Sequence, residues 1–179
     1  MSIQTGFKKQ PLFNYTSNAW EGVNYDRSHC QNLTDIAKLI KNELKRIYPE
    51  AVFSITKETY SGGQSLYIHL MKWNKSPFVD PASIDWEMIL HQYSNYNYTM
   101  EELKNLYNSE AKGYMQVNHY YISEAWVLSD AGKEILSKAH QLSNSFNYND
   151  SDSMIDYFHT NFYSHLRIGK WDKNFELII

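Results

Sequence analysis

The chain is 179 residues long, with 42% hydrophobic and 21% charged residues and a formal net charge of −3. That length and balance fit one globular domain with a buried core, exclude a disordered chain, and leave no apolar run near the roughly 18 residues of a membrane span. The slight acidity argues against a chain built wholly for nucleic acid, since phosphate binding requires a basic excess, and leaves room for a local basic patch only.

Fifteen tyrosines stand out against 7 glycines and 4 prolines. Tyrosine supplies a rigid ring with a hydrogen-bonding hydroxyl and suits contact surfaces; AT-rich coding raises Tyr and Asn as well. Cys30 is the single cysteine, so an internal disulfide and a thiolate zinc site are excluded and a free, inert thiol in a reducing compartment is expected. Met1 to Gln10 carries Lys8 and Lys9 without an apolar block behind them, which predicts no secretory signal and a cytoplasmic protein.

Residues 1–31 show no sustained period and carry scattered aromatics, Phe7, Phe13, Tyr15, Trp20 and Tyr25; they read as an irregular arm packed on the domain, with room for a short strand. From Asn32, the residues Leu33, Ile36, Ala37, Ile40, Leu44 and Ile47 recur at three- and four-residue steps, the pattern of an amphipathic helix. Asn32 or Thr34 caps it and Pro49 ends it near Tyr48. Ala51 to Tyr60 alternates as a half-buried strand, Ser61-Gly62-Gly63-Gln64 turns the chain, and Ser65 to Trp73 alternates again. That second strand puts Leu66, Ile68 and Leu70 on one side and Tyr67, His69, Met71 and Trp73 on the other.

Asp80-Pro81 marks a helix start followed by the stripe Trp86, Ile89, Leu90 and Tyr93. Thr99-Met100-Glu101-Glu102 fits a capping box leading to Leu103, Leu106 and Tyr107. Gly113 to Leu128 mixes β-branched and aromatic residues and reads as extended, with a bend near Ser123. Ser129 caps a further helix with Ile135, Ala139, Leu142 and Phe146 on one stripe, and Asn147 to Ser153 breaks it. Phe158 through Ile168 then alternates as one long strand or two broken near Asn161, with Phe175, Leu177 and Ile179 continuing it.

Leu66-Tyr67-Ile68-His69-Leu70 echoes Phe162-Tyr163-Ser164-His165-Leu166, and Lys72-Trp73 echoes Lys170-Trp171. The expected fold is therefore α+β in one domain: two helix-strand-strand units (residues 32–80 and 129–179) form an antiparallel sheet with helices on one face, and residues 81–128 form an insertion. On such a sheet Tyr67, His69, Trp73, Tyr163, His165, Arg167 and Lys170 make up the candidate binding face. Aromatic rings beside His and Arg suit base stacking and phosphate contact. Either that face is open, or the insertion covers it and turns it into a second core.

Catalytic and metal signals are weak. His159 and His165 lie roughly 20 Å apart along an extended chain, too far for one metal. Asp150, Asp152 and Asp156 lack the glycine and terminal glutamate of a calcium loop, and read as a solvated turn with local caps. Gly62-Gly63 lacks the lysine and following helix of a phosphate loop, and no G-x-S-x-G motif occurs. The expectation is a protein that binds rather than catalyses, without cofactor or metal.

The run LTDIAKLIKNELKRIYPEAVFSITKETYSGGQSLYIHLMKW resembles the large polyvalent-protein-associated domain, the twenty-ninth of that series: a helix, a strand, a Ser-Gly-Gly turn and a strand ending in Trp. The NHYYI, NYNDSDSMIDYFHTNFY and IGKWDKNF segments are similar to companion segments in small proteins of Bacteroidetes plasmids, conjugative elements and phages, so that the resemblance covers about three-quarters of the chain. It implies a mobile-element accessory protein in the bacterial cytoplasm and brings no catalytic motif. The expected partners are a host defence protein or ribonucleoprotein complex, or nucleic acid itself, and no membrane.

Overall fold

The computed structural model describes residues 3–9, 15–25 and 32–178; Phe13, Cys30 and Ile179 lie outside them. Helix α1 (Leu33–Ile47) starts where the Asn32 side chain accepts from the Thr34 amide. Its stripe of Leu33, Ile36, Ile40 and Leu44 is buried, each of these side chains contributing about 1.5–3 kcal/mol by leaving water. Strands β2 (Val52–Tyr60) and β3 (Gly63–Trp73) come next as an antiparallel hairpin closed at Tyr60 and Gly63. Gly62 takes φ +89 in the two-residue turn, a conformation open to glycine at no steric cost.

The chain next makes a short 3-10 turn behind the Asp80 cap, then α2 (Trp86–Gln92), capped by Asp85, and α3 (Met100–Glu110), where the Thr99 and Glu102 capping box is complete. Strand β4 (Met115–Val117) is short, and α4 (Asp130–Asn144) begins on the Ser129 hydroxyl, which accepts from the Gly132 amide. The remaining strands are β6 (Tyr163–Ile168) and β7 (Glu176–Leu177), while a small two-stranded sheet pairs β1 (Trp20–Glu21) with β5 (Tyr148–Asn149).

The architecture is α+β, with α1 and α4 packed together over one face of a sheet ordered β2-β3-β6-β4. Its core joins Leu66, Ile68, Leu70, Leu166 and Ile168 of the sheet to Ile36, Ile40, Leu136 and Leu142 of the helices. Strand direction departs from the expectation: β3 and β6 run parallel, so the sheet is mixed rather than antiparallel. The cause is α4, which carries the chain back across the sheet before β6 begins, the crossover that parallel pairing requires. The second unit also forms no hairpin. Beyond a loop at 169–175, β7 extends the same edge of β3 that β6 occupies, pairing Lys72 with Glu176 and Trp73 with Leu177. The two echoing segments pair two residues out of their sequence alignment, Tyr67 opposite His165, and this even shift keeps each side chain on its expected face.

At the base of the insertion Phe78 bridges Leu128 and the Val79 amide donates to the Val127 carbonyl, and the insertion's β4 joins the sheet beside β6. Trp86 meets Tyr107 and Trp126 edge-on at ring separations of 5.9 and 6.0 Å, packed against the same core. Within 113–128 the expected extended stretch reduces to β4 and a 3-10 turn at Ile122–Glu124. The described residues of the N-terminal arm are held by buried carboxylates. Asp150 accepts from the amides of Tyr15 and Thr16, Glu43 accepts from the Ile3 amide, and Glu21 pairs with Lys8.

Candidate functional site

Parity along β3 and β6 decides what the sheet shows on the side away from α1 and α4. Tyr67 projects there from β3, and Tyr163, His165 and Arg167 project from β6. The Tyr67 and His165 rings stack at 4.7 Å with planes 16° apart, and the Arg167 guanidinium lies 4.7 Å from the Tyr67 ring centre. The Tyr67 hydroxyl donates to Glu58 at 2.8 Å, and that bond holds the phenol above its ordinary pKa. Desolvation, followed by the Arg167 charge, lowers the His165 pKa and favours a neutral ring in the stack. Tyr163 is 40% exposed, so the insertion leaves this face open.

Two expected members of the face are buried, His69 on the cleft side of the sheet and Trp73 in the core. His69 is only 4% exposed; its Nδ1 lies 2.9 Å from the Gly169 carbonyl, which can only accept, so the ring donates there and ties the 169–175 loop to β3. Burial lowers its pKa. Trp73 belongs to the core at 2% exposure, edge-on to Tyr48 with Nε1 directed to Glu50. The strict alternation that placed it beside Tyr67 fails because Val52 pairs with Lys72 while Phe53 pairs with Leu70. Met71 is therefore an extra residue in β3, and such a bulge reverses the facing of the residues after it.

Lys170 sits half-buried at the base of the loop, and the next residue was not anticipated: Trp171 is 81% exposed at the tip. Its sequence signal was present, a tryptophan between lysine and aspartate after Gly169, outside any alternation that would bury it. Arg167, Lys170, Trp171, Tyr67 and Glu58 border an open cleft of about 570 Å³. Across the Tyr67–His165 stack lies a smaller cavity of about 320 Å³ against the start of β6, walled by Tyr163, His165, His119, His140, Asn144 and Trp20 among others.

The weaker candidates also find places. His159 and His165 are not brought together: the Tyr148 hydroxyl is 3.0 Å from His159 Nε2, whereas His165 belongs to the stack. Asp152 caps a 3-10 turn through the Met154 amide, the local role expected of it. Asp150 is buried rather than solvated. Burial acts to raise its pKa, but the hydrogen bonds from the Thr16 and Tyr15 amides outweigh that and hold the carboxyl below its ordinary value. Among the described residues, no group of three or more His, Cys, Asp or Glu side chains could hold a metal ion, and no helix is long and apolar enough to cross a membrane.

The model of one family, described as large polyvalent protein associated domain 29, matches residues 31–129. The match takes in α1, β2, β3, the insertion and β4, and stops before α4 and β6. No curated protein and no solved structure matches the chain.

Proposed function

The chain belongs to the large polyvalent protein associated domain 29 family, and from that membership and the open sheet face we propose that it is a non-enzymatic anti-defence factor of a phage or mobile element. It acts by binding a host effector complex of the CRISPR or restriction type, or the RNA of that complex, in the bacterial cytoplasm. The observation that carries the reading is the clustering of Trp171, Tyr163, Tyr67 and Arg167 on one accessible surface. Trp, Tyr and Arg are the residues on which interface energy concentrates. Glu58 and Asp172 stand among the cations of this cleft, and mixed charge suits a protein or ribonucleoprotein partner better than a bare duplex.

The test is capture from host extract with the double variant Tyr163→Ala, Arg167→Glu. Both side chains reach solvent, so the variant should fold with an unchanged melting temperature and lose more than about tenfold of its binding to the captured complex, given the weight of such anchors. Unchanged binding by the folded variant would sink the proposed face. A second reading, an accessory module acting on the element's own DNA or RNA, is favoured by Trp171 standing between Lys170 and Lys173, a ring for stacking flanked by charges for phosphate. Affinity for naked single strands that falls steeply as salt rises would select it.

A further inference from the structure

We infer that the 320 Å³ cavity beside β6 is a pocket for one unpaired nucleobase, entered from the sheet face. This rests on the nucleic-acid contact of the proposed function. Segments distant in sequence build the cavity: the arm gives Trp20, the insertion His119, α4 His140 and Asn144, and β6 Tyr163 and His165. None of the described residues lining it is Asp, Glu, Lys or Arg. Its histidines are held neutral: burial, then the neighbouring His119, brings His140 down to about 4, and burial lowers His119 in turn. An uncharged wall admits neither phosphate nor carboxylate nor ammonium at low cost, so the occupant is neutral.

The wall is also aromatic and amide-rich, which narrows the choice further. Asn144 donates to His140 Nε2 at 3.0 Å, since an amide nitrogen cannot accept; the imidazole proton therefore sits on Nδ1, which is buried without a hydrogen-bond partner. Phe7, Trp20, Tyr120 and Tyr163 line the cavity with rings, and an aliphatic group would forgo stacking against them. A nucleobase offers a flat face to the rings and carbonyl or ring-nitrogen acceptors along its edge. Tyr163 and His165 line the cavity while Arg167, two residues further along the same strand face, stands over Tyr67 on the cleft side. A base in the cavity thus leaves its phosphates toward Arg167 and Lys170.

The probe is a single-stranded RNA of about ten nucleotides with one central 2-aminopurine, whose fluorescence falls on stacking, set against the same strand abasic at that position. The expected result is quenching on binding and about tenfold weaker binding of the abasic strand. Asn144→Leu, which replaces a wall amide by a bulkier apolar side chain, and Tyr120→Ala, at an exposed part of its rim, should weaken the intact strand similarly and leave the abasic strand unaffected. Equal affinity for intact and abasic strands, or wild-type binding by both folded variants, overturns the pocket while leaving the face to Tyr163 and Arg167. If the wild type binds no strand at low salt, the nucleic-acid reading fails by itself. The pocket then stands only if adenosine, guanosine, cytidine or uridine quenches tryptophan fluorescence in the wild type and not in Asn144→Leu, and falls if none does.

Discussion

Gly169 shows how much of the candidate site hangs on one backbone position. It leaves β6 with φ +64, its amide donates to the Leu70 carbonyl at 2.8 Å, and its carbonyl receives His69 Nδ1. A Cβ there would stand 2.0 Å from the Gly113 carbonyl oxygen and 2.8 Å from the Phe175 amide, backbone atoms that cannot step aside. Gly169→Ala should therefore cost between about 2 and 5 kcal/mol, left-handed strain plus overpacking, measured by denaturant unfolding. Because the same glycine sets the exit of the Trp171 loop, binding should weaken even at temperatures where the variant stays folded. A variant as stable as wild type would show that the loop can be rebuilt without this turn. At this scale the sequence was legible wherever alternation ran unbroken: Tyr67, Tyr163, His165 and Arg167 all lie on the expected face. It misled at Trp73, because one extra residue in a strand reverses facing without changing composition.

Helix α4 joins the core to the cavity. One stripe of it, Ile135, Leu136, Ala139 and Leu142, is buried under the sheet, while His140 and Asn144 form part of the cavity wall. The His119 and His140 rings lie 4.5 Å apart. The folded pKa of His140, about 4, is below its ordinary 6.5, so protonation favours the unfolded chain. Stability is complete above pH 6.5 and is lost as the pH falls toward 4, by about 3 kcal/mol from this group. His140→Gln should flatten that part of the pH profile of unfolding, while the acid loss below the ordinary carboxylate values remains with Asp150 and Glu43. A profile between about pH 6.5 and 4.5 unchanged in His140→Gln would refute the assignment. Elements with local signals, α1 with its Asn32 cap and α3 with its capping box, could be read from the sequence because the groups that start them are neighbours in the chain. The cavity could not: Trp20, His119, His140 and Tyr163 meet only through the tertiary fold.

At the scale of the molecule, the segment that matches the family does not enclose the whole sheet. Residues 31–129 supply α1, β2, β3 and β4, but the strand between β3 and β4 is β6, and the second helix on the core is α4. A fragment ending at Ser129 would bare Leu66, Ile68 and Leu70, all nearly inaccessible in the full chain, along with one whole edge of β3. Such a fragment should bind hydrophobic dye and show no cooperative melting, whereas the full chain melts in one transition; a cooperatively folded fragment would contradict the central role of β6. The mixed strand directions were hidden in the sequence for the same reason, since no local pattern records that α4 crosses the sheet before its last long strand. That order of elements also sets a schedule for synthesis. Strand β3 leaves the ribosome close to a hundred residues ahead of its partner β6, an interval of about 5–20 s at bacterial rates of elongation. For those seconds the edge of β3 that β6 will take lies open and its apolar side chains have only the α1 half of their cover, so each new copy must keep that edge from other chains until the final strand arrives.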